Sequence, residues 1–163
     1  MPTIFYCQET AVTESGKKVQ LNKNGTYKYL KESKLEATSL KDSDMITHGD
    51  QISFKEKPFY ILNGDEKLVD VKFIFSCSLN RYSSMTTKDL NVMIGIANLR
   101  TSFNMKNKRT YVPRKIMLFF SEKTNEWVVT TEYVAQNDYG ALKDGTSFTT
   151  FDELGAFKNI IID

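Results

Sequence analysis

The chain has one histidine, two cysteines and four arginines among 163 residues, and each scarcity excludes a class of chemistry. With His48 as the only imidazole, a Ser–His or Cys–His nucleophile would have to be built on Ile46-Thr47-His48-Gly49-Asp50. No G-x-S-x-G elbow surrounds any serine. Cys7 and Cys77 lie too far apart in the chain to supply zinc-ligand spacing with a single histidine. Asp42-Ser43-Asp44 lacks the later glycine and bidentate glutamate of a calcium loop. The eight glycines are scattered and form no phosphate-cradling or dinucleotide fingerprint. Nothing singles out Asp70, Glu126 or Glu132 as paired carboxylates for glycoside chemistry. These absences predict a protein that is not an enzyme and holds neither cofactor nor metal.

Long hydrophobic runs are missing as well. No apolar stretch approaches eighteen residues, so no membrane-spanning helix is predicted. The opening Met-Pro-Thr-Ile-Phe-Tyr-Cys has no basic stretch followed by a long apolar one, so no signal peptide is expected. Each cysteine sits in an apolar, strand-like run and reads as a buried reduced thiol, which predicts a cytoplasmic location. Arginine is scarce because lysine outnumbers it eighteen to four. With frequent asparagine, that bias fits an AT-rich genome such as that of a phage or a low-GC bacterium. Lysine carries a mobile point charge, whereas arginine presents a rigid bidentate fork.

The longest absence is of negative charge. No carboxylate occurs in the thirty-two residues between Asp89 and Glu122, a window that holds Arg100, Lys106, Lys108, Arg109, Arg114 and Lys115. Residues 122–163 carry three basic and eight acidic groups, so a chain of net charge only +2 is strongly segregated. Three of the four arginines lie in the acid-free window. A buried stretch lacks carboxylates for trivial reasons, so residues 100–115 are the informative part. There the bases are interleaved with Phe103 and Tyr111, and the combination predicts an anionic partner.

What is present is patterned like a globular protein, 40% hydrophobic and 26% charged, with nineteen Phe and Tyr residues that favour β-structure. A first strand is predicted over residues 3–7, and a hairpin across Asn24-Gly25. Residues 31–50 read as a long connection with one helical turn. A second hairpin turns at Asn63-Gly64-Asp65 into a long strand over 67–79, in which Val69, Val71, Phe73, Phe75 and Cys77 alternate with polar residues. Residues 88–99 fit a helix capped at Thr86 or Thr87 with Leu90, Met93, Ile94 and Ala97 on one face, and also fit a strand; the helix is the reading adopted. Residues 116–121 form a central strand, paired through a turn with 127–134. Thr150 and Glu153 match a capping box, and Phe151, Leu154, Phe157 and Ile161 then line one face of a C-terminal helix.

Together these elements predict a single α+β domain over 1–163, an antiparallel sheet of several hairpins carrying a C-terminal helix and one more helix on one face. A closed or half-closed barrel is the rival architecture. The functional expectation is a non-enzymatic binding protein of the inhibitor or immunity type, with no membrane partner. Arg100, Phe103, Lys106, Lys108, Arg109, Tyr111, Arg114 and Lys115 would form one exposed surface against a protein with an acidic patch. The alternative is a weak, sequence-tolerant single-stranded nucleic-acid binder, whose phosphates meet the bases while Phe103 and Tyr111 stack on them.

Overall fold

A computed structural model describes residues 9–12, 18–21, 25–29, 36–137 and 139–163. The chain divides into two compact units, Met1–Leu35 and Glu36–Asp163. In the smaller unit β1 (Glu9–Val12), β2 (Lys18–Leu21) and β3 (Tyr27–Tyr29) pair antiparallel in that order. Val19 lies opposite Tyr29 and Leu21 opposite Tyr27, the hairpin that Asn24-Gly25 predicts. Gly25 has φ +77°, a conformation cheap only without a Cβ. The strand expected over residues 3–7, with Cys7, lies outside the described residues.

The larger unit is an α+β arrangement. Its strands are β4 (Met45–His48), β5 (Gln51–Phe54), β6 (Phe59–Leu62), β7 (Leu68–Ser78), β8 (Val112–Ser121), β9 (Glu126–Gln136), β10 (Leu142–Phe151) and β11 (Phe157–Ile162). They form one sheet in the order β11-β10-β9-β8-β7-β5-β4, with β6 also on β7. β5 pairs with residues 76–78 of β7 and β6 with residues 68–71, so the two behave as one strand interrupted before Pro58. Proline has no N–H to give a ladder, which places the break there. All neighbours are antiparallel except β7 and β8. That parallel step needs a crossover, which the short α1 (Leu79–Ser83) and the long α2 (Thr87–Phe103) supply.

α2 starts as its sequence predicts. The Thr86 hydroxyl accepts from the Asp89 N–H at 3.2 Å, and the Asp89 carboxylate accepts from the Thr86 N–H at 3.0 Å. Leu90, Met93, Ile94 and Ala97 are buried, joining Phe75, Ile116, Leu118, Trp127, Val129 and Phe151 of the sheet in one core. Along β7 the buried and half-buried side is Val69, Val71, Phe73, Phe75 and Cys77, so the predicted register holds. Cys77 carries a free thiol that burial raises to a pKa of about 11. Alkylation of the native protein is therefore expected to leave Cys77 unmodified at pH 7–8, with mass spectrometry showing modification there only once urea unfolds the chain.

Two expectations are overturned. Residues 152–156 form the turn of a β10–β11 hairpin rather than a helix start. The Asp152 side chain accepts from the N–H groups of Leu154 at 3.0 Å and Ala156 at 2.8 Å, and Gly155 adopts φ +86°. An Asx turn followed by a left-handed glycine closes a hairpin, and the flanking Thr- and Ile-rich runs favour strands. Thr150 is thus a strand residue opposite Val128, and Leu154 is 79% exposed instead of packed. The long connection expected over 31–50 in part gives way, over its described residues, to a 3-10 turn (Asp42–Asp44) and β4, which returns through Gly49-Asp50 into β5.

Beneath the C-terminal half of α2 the core turns polar. Thr101 and Ser147, both fully buried, share a hydrogen bond of 2.7 Å, while the buried hydroxyls of Thr131 and Thr149 have no partner. A buried hydroxyl without a partner costs more than the methyl that replaces it. Thr149→Val is accordingly expected to stabilise by about 1 kcal/mol, read as a higher urea midpoint at unchanged m.

Candidate functional site

The predicted partner-binding residues start at the last turn of α2 and run into β8. α2 ends at Phe103, where the Asn104 side chain donates to the Arg100 carbonyl at 2.8 Å and stops the helix. The chain then passes through a 3-10 turn (Lys108–Thr110) before entering β8. Cross-links fix this loop to the sheet: Asn107 to Gln136 at 3.1 Å, the Gln136 N–H to the Thr110 hydroxyl at 3.0 Å, and the Gly64 N–H to the Tyr111 carbonyl at 2.8 Å.

Five of the eight residues gather at this end of the helix. Phe103 is 63% exposed, and the Lys108 ammonium lies 4.3 Å from its ring centroid, within cation–π range. Arg100 stacks its guanidinium 3.7 Å from the Phe157 ring centroid. Lys106 and Arg109 are exposed on the loop between. An acidic influence reaches the cluster from the Asn63–Glu66 turn. There Asp65 is held below the ordinary carboxylate range, first by its hydrogen bond to Lys67 and then by that lysine's charge, with Arg109 adding a smaller attraction.

The other three lie elsewhere, each with a physical reason. Tyr111, expected as a stacking platform, is fully buried. Its hydroxyl donates to the Asn98 side chain at 2.8 Å, its ring packs against Tyr133, and burial pushes its pKa up. A ring enclosed by the core cannot stack on a ligand, so Tyr111 anchors the loop instead. Lys115, in β8, forms a 2.7 Å ion pair with Glu132, its neighbour on β9. Arg114 lines a shallow pocket with Glu132, Asp144 and Asp163. The acidic C-terminal third therefore answers Lys115 from within the chain, and such a partly exposed pair contributes only ~0–1 kcal/mol, while Arg114 stays exposed on β8 beside those acidic groups.

A second feature has no counterpart in the predicted site. Val92, Leu99 and Phe103, spaced 7 and 4 residues apart, form a second apolar stripe on α2, with Ile96 between them half-buried against the core. Val92 and Leu99 are 49% and 51% exposed. Beside it runs a groove of about 700 Å³ whose walls include Phe59, Leu62, Ile94, Gly95, Leu99 and Lys108. The sequence signal was the helix itself, apolar over much of its circumference where a half-exposed helix should be polar on one side.

Among the described residues no helix is long and apolar enough to cross a membrane, and no cluster of His, Cys, Asp or Glu could hold a metal ion. No protein-family model matches the chain, and neither a curated protein nor a solved structure shows significant similarity to it.

Proposed function

We propose that the chain is a non-enzymatic binding protein of the inhibitor or immunity type, which occludes a partner protein through the basic end of α2. The observation that carries this reading is Phe103. A largely exposed aromatic ring, topped by Lys108 and bordered by Arg100, Lys106 and Arg109, has the composition of an interface anchor with a steering rim. Lys115 and Tyr111 drop out of the binding surface, the one paired with Glu132 and the other buried, and Arg114 is exposed on β8 outside the Phe103 cluster. The partner carries an acidic patch, because the rim supplies cations and α2 beyond Asp89 has no carboxylate. Cytoplasmic residence fits the free, buried Cys77.

The single-stranded nucleic-acid reading keeps Phe103 and the same cations but loses its second stacking platform, Tyr111. One experiment separates the two. Immobilised wild-type chain and a Lys108→Glu/Arg109→Glu variant are exposed to extract of the source organism at low and moderate salt. In parallel, both are titrated with a generic single-stranded oligonucleotide. A protein retained by the wild type, released by salt and not retained by the folded variant is the expected outcome, with the association rate for that protein falling on charge reversal. Micromolar or tighter oligonucleotide binding with a steep salt slope would transfer the surface to nucleic acid.

A further inference from the structure

The outer side of α2 points to a more specific partner. A helix that carries apolar residues over much of its circumference is ordinarily buried, yet Val92, Leu99 and Phe103 remain half exposed or more. Contiguous exposed apolar surface with polar borders marks interaction sites. The stripe from Val92 to Phe103 spans roughly 16 Å at 1.5 Å per residue, the length of three helical turns. Alongside it, Gly95 leaves the groove wall open: a Cβ built there meets nothing within 4 Å.

The borders are cationic. Lys88 stands one turn before Val92, Arg100 one turn after Ile96, and Lys108 closes the end of the groove. Asp89, the single carboxylate of α2, is engaged by Thr86. On the opposite wall Glu66 is the one acidic group among the groove-lining residues. We infer that this stripe and groove seat an amphipathic α-helix of the partner protein, with apolar residues at i, i+4 and i+7 and carboxylates along its flanks. Helix-in-groove docking uses that spacing. A second copy of the chain fits poorly, because two-fold pairing would bring Lys88, Arg100 and Lys108 against like charges. Nucleic acid fits poorly too, since Val92, Ile96 and Leu99 offer no π-face on which a base could stack.

The inference rests on the proposed binding function but fails separately from it. The test is selection of helical peptides from a display library against the full-length chain, followed by titration of the selected peptides into three surface variants. Leu99→Ser removes the centre of the stripe. Gly95→Leu fills the groove while favouring the helix, so its melting temperature should hold or rise. Lys108→Glu/Arg109→Glu reverses the rim.

Selected peptides should be helical, acid-flanked and apolar at i, i+4 and i+7. Leu99→Ser and Gly95→Leu should each weaken them by about tenfold or more without lowering the melting temperature. Binding that survives both variants but is lost on rim reversal would overturn the helix seat and leave the broader reading standing. A selection that yields no binder, or binders without the acidic amphipathic pattern, would overturn it as well. So would a dimer of the wild-type chain in sedimentation that Leu99→Ser dissociates, since the occupant would then be a second copy.

Discussion

Tyr111→Ala is expected to cost about 3–5 kcal/mol of folding stability, the range for removing a buried aromatic ring. The side chain is fully enclosed, packs against Tyr133 at 5.5 Å between ring centroids, and ties α2 to β8 through Asn98. Tyr111→Phe keeps the ring and removes only the hydroxyl. It should cost about 1 kcal/mol, because the Asn98 oxygen loses its donor. Urea unfolding followed by the fluorescence of Trp127, the only tryptophan and itself buried, reads both. The alanine variant should also loosen the Lys108–Thr110 turn while leaving its charges in place. If Tyr111→Ala were as stable as wild type, Tyr111 would not be the anchor described, and a role at the ligand surface would reopen.

Gly64→Ala is expected to be the next most damaging change. A Cβ at this position would lie 1.7 Å from the carbonyl oxygen of Lys108, a backbone atom that no rotamer change can move aside. The β6–β7 turn and the basic loop must then separate, and the hydrogen bond from Gly64 N–H to Tyr111 is lost. Overpacking of this kind costs about 1–3 kcal/mol. The effect should be local in character, with amide shifts at residues 63–66 and 107–112 exceeding those in β10 and β11. Wild-type stability together with unshifted loop amides would show that the close approach is not what holds the loop. Gly64 reads in the sequence as half of a turn signal, but its more demanding duty is to let two loops touch.

How far the sequence disclosed this protein depended on the range of the interaction concerned. The alternation along β7, the Asn63-Gly64 turn and the helix cap at Thr86 or Thr87 are set by neighbours within a few residues, and all three stand in the structure, the cap at Thr86. The helix-or-strand ambiguity over 88–99 resolves to helix, since the cap and the four-residue stripe act together. The C-terminal error came from a local rule with two solutions. Thr150 and Glu153 satisfy a capping box on paper, yet Asp152 and Gly155 close a turn, and pairing with β9 decides between them. Where charges end up was not readable at all. Lys115 meets Glu132 only because β8 and β9 pair in that register, and Tyr111 is covered by Tyr133 through contacts distant in sequence.

The parallel seam between β7 and β8 also has a kinetic meaning. The strands on either side, β4 to β7 and β8 to β11, are joined to their neighbours mostly by short turns, so their pairings are local and closed at small entropic expense. The seam is different: its two strands are brought together only after more than thirty residues of crossover have been ordered. Assembly of the large unit is therefore expected to wait on α2, with two meanders forming early and locking late. Native-state hydrogen exchange reads the same barrier from the folded side. Amides of β7 and β8 at the seam should open in one cooperative step with those of α2, while the β10–β11 hairpin opens on its own at lower energy.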